Sequence, residues 1–196
     1  MAKRRRLNRE LVVQKAVEIA DAAGRPDAVT LTALAAALDV RVPSLYNHIA
    51  NLDDLYHAMA VYGARQLIEC LRGAAAGQVG REALLAMADA YRRFAHEHPG
   101  LYPLTIRAPE PDDEVLGALA RELLQLLLLV LASFGLQGDD ALHAVRGFRA
   151  LLHGFTALEA AEGFKMALDR DDSFHRLVTT YLDGLTATRS LGGNNR

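Results

Sequence analysis

The chain has 196 residues, of which 51% are hydrophobic and 23% charged, a composition typical of globular proteins and not of disordered ones. Its net charge of −2 is unevenly distributed: residues 1–52 hold eight Lys and Arg against five Asp and Glu, so this part carries +3 and the remainder −5. A basic head on an acidic body indicates that only the head meets a polyanion, and the single cysteine excludes an internal disulfide framework and fits a reducing cytoplasm.

The first element predicted is a basic arm, residues 3–6, that leads into a helix. No apolar segment follows this arm, so we do not expect a signal peptide. Asn8 is suited to cap the helix, and apolar residues then recur every three or four positions. Gly24 and Pro26 mark its end.

Two short helices joined by a tight turn are predicted next. Thr30 caps the first of them, which runs from Leu31 to Leu38. Pro43 lies in the first turn of the other, which runs to about His48. Two helices connected in this way form a helix-turn-helix, and the alternative is a compact helical hairpin of purely structural role.

The rest of the chain is also predicted to be helical, which makes an all-α protein of about nine helices. Asn51 caps a long fourth helix, and Gly, Pro and acidic clusters separate the helices that follow. The most apolar stretch, Leu123 to Phe134, is twelve residues long, so we expect a core helix and not a membrane span. We divide the chain into an N-terminal domain, residues 1–52, and a C-terminal domain, residues 53–196.

The outward surface of the third helix carries side chains that suit DNA. Asn pairs with adenine edges, Ser contacts a base or a phosphate, and Val or Pro touches a thymine methyl group. Tyr46 and His48 are long enough to reach phosphates at the wall of the groove. The residues predicted to face outward are Arg41, Val42, Pro43, Ser44, Tyr46, Asn47 and His48.

Residues 31–49 resemble the signature of the tetracycline-repressor (TetR) family of transcriptional regulators, and residues 42–48 are its most specific part. The length and the nine-helix plan match that family as well. The resemblance implies that Thr30 and Thr32 contact backbone or base, and that residues 42–44 and 46–48 carry the recognition contacts. The family usually has a lysine where this chain has Leu52, so the basic arm is the candidate to supply that phosphate contact.

The same resemblance implies a body that senses a ligand and dimerises through the last two long helices. Both helices carry broad apolar faces, which would form a four-helix interface about a two-fold axis. Residues 151–159 are similar to a subgroup of the family marked by Trp-His-Gly, with Leu152 in place of the tryptophan. His153 in that segment either orients a ligand or is a core histidine with its hydrogen bonds satisfied.

An inducer is expected in a pocket between the fourth and eighth helices, whose composition favours a neutral or aromatic compound. Ordinary core packing is the alternative for each of the residues concerned. The candidate lining residues are Met59, Tyr62, Met87, Tyr91, Tyr102, Ile106, Leu127, Phe148 and Leu152.

Neither a metal nor a cofactor site is predicted, because the histidines are scattered and lack the spacing of metal ligands. No nucleophile–base pair or paired carboxylates indicate an enzyme. The expected function is a cytoplasmic, homodimeric repressor released from a palindromic operator by a small ligand. The alternative is a helical DNA-binding protein without an inducer, either constitutive or regulated by a partner.

Overall fold

The structure is a computed structural model that describes the backbone of residues 7–192 and the side chains of residues 7–187. Within that range it confirms the all-α fold, with nine α-helices and no strand. The basic arm, residues 3–6, lies outside the described residues. The helices are α1 (Arg9–Ala23), α2 (Leu31–Ala37), α3 (Val42–Leu45), α4 (Leu52–Ala75), α5 (Gly80–Glu97), α6 (Tyr102–Thr105), α7 (Glu114–Leu131), α8 (Gly138–Ala160) and α9 (Arg170–Gly192).

The helix ends are set by the capping residues that the sequence indicates. The Asn8 side chain accepts a hydrogen bond from the Leu11 amide at 2.8 Å, which begins α1. Thr30 and Asn51 cap α2 and α4 in the same way. At the other end of α1, Gly24 adopts the left-handed conformation, with φ 69°, that ends a helix without steric cost.

The chain divides by its internal contacts into two compact units. The first comprises the chain up to Gln66 together with Glu97–Ala120, and the second comprises Leu67–His96 together with the chain from Arg121 onward. The first unit therefore contains α1–α3, most of α4, and α6 with its flanking segments. The functional division at residues 52 and 53 stays a prediction.

The core of the first unit joins α1, α2 and α3. α1 packs on α2, and α2 packs on α3. The side chains that become inaccessible there are aliphatic and come from all of these elements and from the start of α4: Val12, Ala16, Ala20, Leu34, Leu45, Ile49, Leu55 and Met59.

The segment that leads into α6 is fastened to α1 by one carboxylate. Asp21 of α1 accepts hydrogen bonds from the backbone amides of Gly100 and Leu101, at 3.0 and 2.9 Å. Its second oxygen lies 2.7 Å from Nδ1 of His98. The contact is close: a Cβ added at Gly100 would lie 2.1 Å from the carbonyl carbon and oxygen of Ala20. Only glycine fits there.

The leucine-rich helix is less buried than the sequence suggests. α7 and the 3-10 turn that follows it span Glu114–Phe134, which by length and composition alone could cross a membrane. Leu127 and Leu131 are its buried residues, whereas Leu129 is 74% exposed. The prediction of a core helix was therefore wrong in burial, because most residues of α7 are exposed or half-buried.

In the second unit, α8 packs on α9 around a ring cluster that contains a cation. Phe155 contacts Phe174 edge to face, with ring centroids 5.1 Å apart. The Arg92 guanidinium lies over both rings and donates hydrogen bonds to the buried carboxylate of Glu159 at 2.9 and 2.6 Å. This hydrogen bonding lowers the pKa of Glu159 and raises that of Arg92.

We expect Gly100→Ala to destabilise the protein, because the new methyl group would overlap the backbone of Ala20. Overpacking of this kind costs about 3 kcal/mol, which corresponds to a Tm lower by roughly 10 °C in thermal unfolding. Gly73→Ala is the matched control, since a Cβ there meets no other element of the described chain within 4 Å. That variant should be as stable as the original chain or slightly more so. Equal Tm values for the two variants would contradict the close contact.

Candidate nucleic-acid interface

The third helix is held in place from beneath by its own apolar residues. Leu45 and Ile49 have almost no accessible surface. The turn before the helix is closed by a hydrogen bond from the Val40 amide to the Ala35 carbonyl at 3.0 Å. Asp39 provides the left-handed residue of that turn, with φ 53°, a conformation that Asp tolerates better than most residues.

The helix itself is shorter than predicted. It covers only Val42–Leu45, and the residues to His48 continue as a turn, in which the His48 amide donates to the Leu45 carbonyl at 2.8 Å. Pro43 lies within its first turn, as the sequence indicates. We refer to residues 42–48 as the recognition segment.

The predicted DNA-contacting residues all belong to the first unit, and none of them is buried. Tyr46 is a large aromatic member of the set, with 53% of its surface exposed. The exposed residues are Thr30, Thr32, Arg41, Pro43, Tyr46 and Asn47, and the half-exposed residues are Val42, Ser44 and His48. The set offers hydroxyl, amide, imidazole and guanidinium groups beside small apolar surfaces, which are the groups that contact phosphates and base edges.

Thr30 combines two hydrogen-bonding roles. Its hydroxyl oxygen accepts from the Ala33 amide at 3.1 Å and so caps α2. A hydroxyl that accepts one hydrogen bond can still donate another, so capping leaves Thr30 able to donate to a phosphate at the start of the helix.

The cations of the head differ in the partners they have. Arg9, Lys15 and Arg25 each form an ion pair with a carboxylate of the first unit. Arg41, just before the recognition segment, is exposed and has no carboxylate within ion-pair distance among the described residues. Among the described cations of the head, its charge is therefore the one most open to a phosphate.

One contact at this surface was not predicted from the sequence. Nη1 of Arg9 donates to the His48 carbonyl at 2.8 Å and to Asp54 at 2.8 Å, and Nη2 donates to Asp54 at 2.6 Å. The hydrogen bonds from Arg9, together with one from the Ala50 amide, lower the pKa of Asp54 to about 2. Opposite charges at the two helix starts were the available signal, but they lie 45 residues apart.

The predicted ligand-lining residues are distributed over both units. Met59, Tyr62, Tyr102 and Ile106 belong to the first unit, and the other five belong to the second. In the first unit α4 and α6 approach closely, since a Cβ added at Gly63 would lie 3.0 Å or less from atoms of Leu101 and Thr105. Two of the nine are half-buried, Tyr62 and Ile106, and seven are buried: Met59, Met87, Tyr91, Tyr102, Leu127, Phe148 and Leu152.

Histidines and carboxylates of the described residues meet in pairs. His57 lies 2.9 Å from Asp113, which caps α7 through the Leu116 amide. That amide hydrogen bond is the main cause that lowers the pKa of Asp113. Among the described residues no group of three or more His, Cys, Asp or Glu side chains could hold a metal ion.

Comparison with known proteins gives consistent matches along the chain. A family model described as the tetracyclin repressor-like C-terminal domain matches residues 84–181. The HTH-type transcriptional regulator Rv0681 of Mycobacterium tuberculosis is 36% identical over 194 residues, which are 98% of this chain and 88% of the relative. The HTH-type transcriptional regulator YobS of Bacillus subtilis is 36% identical over 186 residues, covering 94% and 96% of the two chains.

Solved structures show the same fold. The crystal structure of a TetR variant from Acinetobacter baumannii AYE in complex with minocycline superimposes with a TM-score of 0.69. The superposition covers 94% of this chain and 99% of that chain, at 19% sequence identity. Identity this low shows similarity of fold alone.

Two substitutions in the recognition segment should have different effects on DNA binding. Tyr46→Ala is expected to weaken binding to all duplexes about equally, because its hydroxyl is predicted to contact phosphates. Asn47→Ala is expected to relax the preference at particular base pairs, at a cost of about 1–3 kcal/mol for each bidentate hydrogen-bonded pair that the substitution removes. Fluorescence anisotropy with specific and random duplexes measures both. Unchanged discrimination between the duplexes in both variants would contradict the assignment.

Proposed function

Because the chain belongs to the tetracycline-repressor family of helix-turn-helix transcriptional regulators, we propose that it is a homodimeric repressor that leaves a palindromic operator when a small apolar or aromatic ligand binds. The observation that carries the proposal is the recognition segment. Leu45 and Ile49 anchor it from within, and its polar side chains lie on the outside. This arrangement leaves the segment free to enter a major groove.

The dimer part of the proposal rests on apolar surface of the last two helices. Leu158 of α8 and Leu177 of α9 are 53% and 39% exposed. Contacts within the described chain do not explain why residue 154 of α8 is a glycine, since a Cβ added to Gly154 would meet no other described element within 4 Å. Glycine in a helix interior costs about 0.5–1 kcal/mol relative to alanine. Close approach of a second copy would explain both features.

Two-fold symmetry in the protein implies symmetry in the operator. Each subunit supplies one recognition segment, and two such segments enter successive major grooves when they lie roughly 34–36 Å apart. The operator should therefore consist of two inverted half-sites about one helical turn apart.

A ligand would control DNA binding through the first unit. α6 is packed against α4 at Gly63, and its leading segment is fastened to α1 by Asp21. A ligand that changes the packing of α6 on α4 would thus act on the helices that hold the recognition segment. It would release DNA in proportion to its preference for the state that fits the operator poorly. The TetR variant with minocycline provides a family precedent for such a ligand.

The second candidate is a DNA-binding regulator without a small-molecule inducer. The burial of seven of the nine predicted lining residues favours it, because ordinary core residues are buried in the same way. In both candidates the protein acts in the cytoplasm, as regulators of chromosomal DNA do in bacteria, and we assign it no enzymatic activity.

Selection of duplexes from a random pool, followed by sequencing, tests the function. We expect an inverted repeat with half-sites about 10 base pairs apart. The selected duplex then serves in titrations with neutral and aromatic compounds that raise the Tm of the protein. A compound that raises the Tm should lower operator affinity, because it stabilises the other state. Bound compounds that leave operator affinity unchanged would favour the second candidate, and a pool without enrichment would refute the proposal.

The dimer interface can be tested by introducing a charge into it. Leu158→Asp should weaken dimerisation at least about tenfold, because an unpaired carboxylate would be buried at the contact. Leu129→Asp is the control, since Leu129 is more exposed and lies on α7. Sedimentation velocity at graded concentrations measures the dimer fraction. A Leu158→Asp protein as dimeric as the Leu129→Asp protein would contradict the proposed interface.

A further inference from the structure

The recognition segment is too short to be rigid by itself. Its helix has four residues, far fewer than an isolated helix needs to persist in water. Its orientation must therefore be imposed at its two ends and by the buried leucine beneath it. At the leading end this is done by the hydrogen bond between Val40 and Ala35.

At the trailing end a pair of charged side chains holds the backbone. Arg9 donates to the carbonyl of His48 at 2.8 Å, and Asp54 accepts from the amide of Ala50 at 2.8 Å. The two side chains are joined to each other by two hydrogen bonds of 2.8 and 2.6 Å. They therefore form a bracket around Ile49, whose own side chain is buried.

The position of Asp54 makes a direct role in DNA binding unfavourable. It is an acid in the first turn of α4, the turn next to the recognition segment, and phosphates repel it. Its partner, Arg9, uses three of its five N–H donors on protein groups. An ionised Asp54 weakens the attraction to DNA. Its presence here is explained if it organises the recognition segment.

We propose that Arg9 and Asp54 are positioning residues that set operator discrimination by fixing the trailing end of the recognition segment. The bracket acts on geometry, so it contributes to binding of the matched sequence and not to general attraction for duplexes. This inference rests on the DNA-binding part of the proposed function. It is independent of the ligand and of the dimer interface.

The test compares two carboxylates of the same helical turn. Asp54→Asn and Asp53→Asn each remove one negative charge from the start of α4, but among the described residues only Asp54 belongs to the bracket. Electrostatics alone predicts slightly tighter DNA binding for both variants. The proposal predicts that Asp54→Asn loses about tenfold in operator affinity, the scale of one charge-assisted hydrogen-bond network at a partly exposed site. Affinity for a scrambled duplex should change by less than about threefold.

Operator and scrambled-duplex affinities of both variants are measured by anisotropy at several salt concentrations. An Asp54→Asn protein that binds the operator as tightly as Asp53→Asn overturns the proposal. A wild-type protein that binds neither duplex overturns the proposed function as well. This last outcome is distinct because it appears before any variant is made.

Variants of Arg9 separate positioning from phosphate contact. For Arg9→Gln we expect the same loss on the operator and an unchanged dependence of affinity on salt. If Arg9 contacts a phosphate instead, the logarithmic salt slope falls by about one and both duplexes lose affinity equally, which overturns the proposal. The double variant Arg9→Gln/Asp54→Asn should lose no more than the worse single variant, because the two residues act as one unit.

Thermal unfolding of each variant shows whether a loss of operator affinity is caused by unfolding of the protein. Arg9→Lys provides a milder change, since it keeps the ion pair but cannot reach the carbonyl and the carboxylate together as a planar guanidinium does. Its operator affinity should lie between that of Arg9→Gln and that of the original protein, with normal Tm. An Arg9→Lys protein with full stability and full discrimination overturns the role of the carbonyl contact.

Discussion

The surface that meets DNA depends on a constraint of size: a helix of four residues cannot specify its own direction. The burial of Leu45 and Ile49 provides most of this direction, because it removes most of the conformational freedom of the backbone between them. Hydrogen bonds at the two ends of the segment remove the rest. The outward side chains can therefore be polar and exposed, and their chemistry can change without loss of the fold.

Contacts of buried side chains and backbone amides also extend the first unit beyond the helix-turn-helix. Asp21 satisfies two amides at the start of the α6 segment, and Gly100 allows that segment to touch the backbone of α1. Amides without partners are costly when they lose water, so this carboxylate is worth more than an exposed ion pair. As a consequence, residues 97–120 share a compact unit with α1–α3 although they are distant in sequence.

The sequence was sufficient for features encoded locally and insufficient for features that pair distant residues. The caps at Asn8, Thr30 and Asn51 were predicted because a cap involves neighbours three residues apart. The outward face of the recognition segment was predicted by assigning apolar residues such as Leu34 and Leu45 to the crossing of the two short helices, which leaves the other residues outside. Arg9 with Asp54, and Arg92 with Glu159, were missed because no periodicity relates a charged residue to a partner 45 or 67 residues away. Burial of α7 was overestimated because apolar composition does not show which face has a neighbour.

The distribution of charge indicates that general attraction to DNA and discrimination between sequences depend on different residues. Residues 7–52 hold four Lys and Arg against five Asp and Glu, so without residues 3–6 the head carries a net charge of −1. Three of those four cations are paired with carboxylates, which leaves Arg41 as the exposed cation beside the recognition segment. General attraction to phosphates is therefore expected to come mainly from residues 3–6 and Arg41. The Arg9–Asp54 ion pair joins α1 to α4 and so helps to fix the shape of the head, and a rigid shape is what discrimination between base pairs requires.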